Sequence, residues 1–76
     1  MQNNKDEMIE ALYYEISLLL EGLLHYAGVK EEKLQEAAEK YAEIIDDVLV
    51  DSDATGVDEV VEVVNYMKKN YKELFK

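Results

Sequence analysis

Residues 8–27 read MIEALYYEISLLLEGLLHYA, and how this stretch is read decides the fold. Ile9, Leu12, Ile16, Leu19, Leu23 and Tyr26 recur at alternating steps of three and four, the spacing of one face of an α-helix. Tyr13, Leu20 and Ala27 widen that stripe along one flank. Fourteen of the twenty residues are apolar, more than a helix with two neighbours needs to bury. The stretch therefore predicts the central helix of a bundle, with apolar surface left over.

Before this stretch, Asn4 followed by Glu7 reads as an N-cap with an acid at the third position. Asp6 and Glu7 also suit the positive end of the helix dipole. After it, Gly28 supplies a residue that accepts the left-handed conformation past a helix end, with apolar Val29 behind it. A helix is expected over about 5–27, a rod about 35 Å long.

Beyond Gly28, a narrow stripe of Leu34, Ala37, Ala38, Tyr41, Ile44, Ile45, Val48 and Leu49 predicts a second amphipathic helix over about 31–50. Its start is weakly marked, because Lys30 is a poor cap. The segment Asp51-Ser-Asp-Ala-Thr-Gly56 breaks the period. Thr55 with Asp58 three residues later then opens a third helix over about 56–75. Its stripe is Val57, Val60, Val61, Val64, Met67, Tyr71, Leu74 and Phe75. Valine also suits a strand, but the spacing favours helix. Charge agrees, with Asp58, Glu59 and Glu62 at the start and Lys68, Lys69, Lys72 and Lys76 at the end. The fold class expected is all-α: one helical domain over 1–76, a three-helix up-down-up bundle that self-associates through helix one.

Composition narrows the function. The chain has 76 residues and no Cys, so it carries no disulfide, no thiolate metal site and no thiol nucleophile. Small chains without such staples commonly gain burial by self-association. Acidic residues outnumber basic ones 18 to 8, every basic residue is Lys, and the net charge is −10. That field repels nucleic acid and anionic lipid and attracts a basic partner. Without Arg, bidentate phosphate and guanine contacts are missing. No basic leader precedes an apolar run, and Glu10, Glu15 and Glu21 interrupt the one long apolar stretch. A cytoplasmic protein with neither a membrane nor a nucleic-acid partner is the expectation.

Three constellations are candidate sites. Ala11, Tyr14, Leu18, Gly22 and His25 line a second strip of helix one, away from the first stripe. Gly22 in mid-helix costs about 1 kcal/mol relative to Ala, and close approach of another helix would explain it. This strip is the expected seam of a two-fold homodimer. On helix two, Glu32, Glu36, Glu39, Glu43, Asp46 and Asp47 form an acidic ridge. Its like-charge pairs four residues apart each weaken the helix by roughly 0.2–0.5 kcal/mol. A face kept acidic at that cost points to a protein partner with a basic surface, such as one that normally holds nucleic acid. The chain is therefore expected to be a small non-catalytic interaction or inhibitor module.

The alternative is a calcium-binding helix-loop-helix. Asp51, Asp53, Thr55, Gly56, Glu59 and Glu62 fall at positions one, three, five, six, nine and twelve of an EF-hand-like loop. Asp58 stands where that loop wants an aliphatic residue, and no second loop accompanies it. No catalytic constellation is present: His25 is the only His, and Ser17 and Ser52 have no base nearby in sequence. Tyr14 and Tyr66, outside the core stripes, are minor candidates for partner contact.

Overall fold

The computed structural model describes residues 2–76, with side chains from Lys5 onward. Helix α1 spans Gln2–Tyr26, α2 spans Leu34–Leu49 and α3 spans Val57–Asn70. Short 3-10 turns at Glu31–Lys33 and Lys72–Leu74 lead into α2 and out of α3. No strand forms among the described residues, and a single antiparallel bridge joins Val29 to Phe75. The fold is all-α and compatible with a three-helix bundle, and the valine-rich segment is helix.

Helix ends differ from expectation for local reasons. α1 already begins at Gln2, so Asn4 lies inside its first turn and does not precede it. Lys30, the poor cap, is followed by a 3-10 turn, and α2 proper starts only at Leu34. The Thr55 capping box does not form. Gly56 takes the cap position with φ 63° and no side-chain bond, while the Asp58 and Glu59 amides donate to the Thr55 and Gly56 carbonyls. α3 stops at Asn70 and not near 75, because the Tyr71 backbone leaves the helix at φ −131°, ψ 54°.

The end of α1 follows the sequence closely. Gly28 has φ +105°. The Val29 amide donates to the Leu24 carbonyl at 3.0 Å and the Gly28 amide to the His25 carbonyl at 3.1 Å. This pair of bonds is a Schellman motif, which needs a left-handed residue at the Gly28 position. It turns the chain so that Val29 is fully buried. The C-terminal segment then pairs with the same link: Lys30 donates to the Leu74 carbonyl at 2.9 Å, and Lys76 donates to the Gly28 carbonyl at 2.8 Å.

The core sits at this end of the molecule. Leu24, Val29, Ala37, Ile44, Val63, Val64, Met67 and Leu74 are buried together. The α2 stripe packs as expected, with Ala37 and Ile44 buried and its other members against the cluster. The α3 face is rotated: Val63 is buried, whereas Val57 and Val61 are exposed.

Helix α1 requires the largest correction. Its packing residues are Leu20, Leu24 and Ala27, which point about 75° around the helix from the centre of the expected stripe. Ile9, Leu12, Tyr13, Ile16, Leu19, Leu23 and Tyr26 are exposed. Every residue from Lys5 to Leu19 is exposed. Two causes combine. At 16 and 14 residues, α2 and α3 are much shorter than the 25-residue α1. The Gly28 junction sets α2 against the last turns of α1, with α3 packed chiefly on α2, and Ala38 and Ala42 of α2 lie across a shallow cleft from Ser17, Leu20 and Glu21. The molecule is consequently elongated, 46 × 32 × 17 Å. Its radius of gyration is 14.1 Å, against about 11 Å for a compact chain of this length.

The three glycines separate two physical roles. A side chain at Gly28 is strained by its positive φ, whereas a Cβ at Gly22 meets nothing within 4 Å. Gly28→Ala should lose about 1–2 kcal/mol of stability in urea unfolding, and Gly22→Ala should gain up to about 1 kcal/mol. Equal effects from the two substitutions would contradict this account of the α1 terminus.

Candidate interaction surface

The exposed part of α1 is the largest apolar feature of the surface. Met8, Ile9, Leu12, Tyr13, Tyr14, Ile16, Leu18, Leu19, Leu23 and Tyr26 are all large, apolar or aromatic, and exposed, with Leu19 at 71% and Tyr26 at 89%. They follow from two sequence patterns superposed on one helix. The stripe assigned to the core and the strip assigned to a seam both face solvent. Of the strip, Ala11, Tyr14, Leu18, Gly22 and His25 are each exposed, and the His25 ring stands edge-on to Tyr26 at 5.1 Å between centroids. The more apolar of the two surfaces is the stripe.

The acidic ridge of α2 is also on the outside. Glu32, Glu36, Glu39, Glu43, Asp46 and Asp47 are exposed. Glu32 lies in the 3-10 turn before α2, and the ridge's charge is partly answered locally, because Lys33 of that turn reaches Glu36 at 3.5 Å and Lys40 reaches Glu43 at 2.7 Å. Both pairs are three residues apart and solvent-exposed, so each contributes little stability. The Lys40 ammonium also stands 5.1 Å from the centre of the Tyr71 ring. Its hydrogen bond to Glu43 raises its pKa above the ordinary value, against an opposing effect of desolvation. Glu32, Glu39, Asp46 and Asp47 form no ion pair among the described residues.

The loop between α2 and α3 is closed by its own side chains. Ser52 donates from Oγ to Glu62 Oε1 at 2.7 Å and accepts the Ala54 amide at 3.0 Å. Asp51, Asp53, Thr55, Glu59 and Glu62 are not gathered around a common point: among the described residues, no three Asp, Glu or His side chains converge as metal ligands do. His25 likewise belongs to no such group of three among the described residues. Tyr66 is exposed, tilted toward the Tyr71 ring at 6.3 Å.

One feature was missed at the level of sequence. Lys68, Lys72 and Lys76, spaced four apart, line an open cleft with Ala27, Gly28 and Phe75 at the C-terminal end of α1. The spacing was legible as a helix-end charge preference. That it lies beside α1 depends on the Gly28–Lys76 pairing, which no local pattern announces. Three of the eight lysines are therefore gathered beside Gly28, whereas Lys33 and Lys40 lie among the acids of the ridge.

No family model, curated protein sequence or solved structure matches the chain. Among the described residues, no helix is long and apolar enough to cross a membrane.

Two measurements check these local contacts. Ser52→Ala removes a part-buried bond to a carboxylate and should cost about 1–2 kcal/mol in urea unfolding, a drop of several degrees in Tm. Tyr41 gives a pH signature. Its phenol is pushed above its ordinary value of 10.0, first by burial and then by the Glu59 carboxylate. The folded state thus holds this proton more tightly than the unfolded chain. The resulting stability is fully present below about pH 10 and lost as pH rises through the folded value. Tyr41→Phe should flatten the alkaline fall in stability between about pH 9 and about pH 11; identical slopes would count against the burial of this phenol.

Proposed function

We propose that this chain is a small non-catalytic protein-interaction module whose working element is the projecting part of α1. One observation carries the reading: Lys5 to Leu19 is exposed throughout, although its apolar residues keep the strict spacing of a packed helix face. A contiguous apolar surface of this kind is characteristic of a docking site, and an amphipathic helix presented to a partner is a common mode of recognition. The α2–α3 end acts as the base that holds α1 in place.

The acidic exterior defines the kind of partner. With a net charge of −10 and a ridge on α2 facing away from the core, the module favours a protein with a basic surface. Electrostatics of this type act mainly on encounter rate and specificity. An inhibitor that occupies a nucleic-acid-binding surface fits the same description.

Affinity capture separates the two surfaces. Tagged wild-type chain is compared with Leu12→Lys/Leu19→Lys on α1 and with Glu39→Lys/Asp46→Lys on α2, all checked for helicity by circular dichroism. Loss of a bound protein on the α1 variant is expected, together with earlier elution in a salt gradient for the α2 variant. A wild type that retains no protein and does not self-associate at low salt would sink the reading.

A further inference from the structure

The interaction reading leaves open what covers the α1 stripe, and on that reading we propose that the occupant is a second copy of this chain, paired antiparallel along α1. Ile9, Leu12, Ile16, Leu19, Leu23 and Tyr26 keep the three-four alternation of a two-stranded coiled-coil seam, and all six are exposed. Set Ile16 against Leu19 of the second copy in an antiparallel pair. The same register then sets Leu12 against Leu23 and Ile9 against Tyr26, so no member of the stripe is left without a counterpart. The two folded bases come to lie at opposite ends of the helix pair, out of each other's way.

Surface area supports one such interface. A compact monomer of 8.8 kDa exposes about 4,800 Å², whereas this chain exposes 5856 Å². The excess of about 1,000 Å² matches the roughly 800 Å² that each partner contributes to a stable interface. The exposed stripe of α1 is where the surplus lies.

Charge selects the direction. Two chains of net charge −10 repel unless opposite charges meet. In a parallel pair, Asp6 flanks the seam beside its own copy, and the two lysine clusters lie at the same end. In the antiparallel register, Asp6, which flanks the stripe, lies beside Ala27 of the second copy, a residue that borders the cleft lined by Lys68, Lys72 and Lys76. Acid then meets base at both ends of the seam, and the helix dipoles oppose one another.

The test combines size and direction. Equilibrium sedimentation at tens of micromolar should return twice the 8.8 kDa chain mass for wild type and the single mass for Ile16→Lys/Leu19→Lys. Both substituted sites are exposed, so helicity should persist in the α2–α3 base. Because the chain has no Cys, Leu12→Cys and Leu23→Cys report direction cleanly. Mixed and oxidised, they should cross-link to each other, and neither should cross-link to itself. A monomeric wild type overturns the dimer, and self-linking of Leu12→Cys overturns the antiparallel direction. Should wild type be monomeric while Leu12→Lys/Leu19→Lys still loses a different protein in the capture experiment, self-pairing fails and the interaction module stands.

Discussion

The turn at Gly28 carries backbone hydrogen bonds in two directions, and both are needed for the fold. Backward, the Val29 and Gly28 amides close the last turn of α1 on the Leu24 and His25 carbonyls. Across, the Gly28 carbonyl and the Lys30 amide take up Lys76 and Leu74. A side chain with ordinary backbone preferences resists φ +105°, so the junction depends on a residue without a Cβ. Through it the beginning and the end of the folded base are joined, and Val29 and Leu74 are drawn into the same buried cluster as Leu24 and Met67.

Where that junction lies along α1 decides the rest. It places the hairpin of α2 and α3 at the helix's final turns, and both are too short to reach its beginning. The core is correspondingly small, and it contains no buried charged group among the described residues. Leu24 packs at 0% exposure while Leu19, only five residues earlier, is 71% exposed. Leu23 and Tyr26, beside and beyond Leu24, are exposed as well, so the step divides the packed face of α1 from its stripe. Beyond it, α1 has the composition of a buried helix and the surroundings of a surface one.

The same geometry sorts the charges. The terminal turn of α3 is rich in lysine, and the bridge at Phe75 brings that turn beside the end of α1. The acids of the first turns of α1 lie at the far end of the rod, and those of α2 line a separate outer ridge. Two of the ridge carboxylates are met by lysines three residues away, which softens the like-charge repulsion inferred from spacing alone. The loop that resembles a cation site in sequence is joined to α3 by the Ser52–Glu62 hydrogen bond. The apolar stripe of α1, the acidic ridge and the lysine-lined cleft thus occupy different parts of the molecule.

Period and punctuation in the sequence determined the all-α class, the number of helices, the Gly28 terminus and the whole packing face of α2. They did so because a helix face and a left-handed turn are local properties, written in residues a few positions apart. The same patterns misplaced the buried face of α1 and part of that of α3. A stripe records which residues tolerate burial, not which neighbour reaches them. Leu24, outside the α1 stripe, became core because α2 and α3 dock against the last turns, and Ile9 to Leu19 remained outside because nothing in this chain is long enough to cover them. The basic cleft at Lys68, Lys72 and Lys76 likewise exists only once residues 28 and 76 are brought together. Non-local contact, set by helix length and one backbone junction, decided that α1 packs through Leu20, Leu24 and Ala27 and leaves both of its longer apolar patterns in solvent.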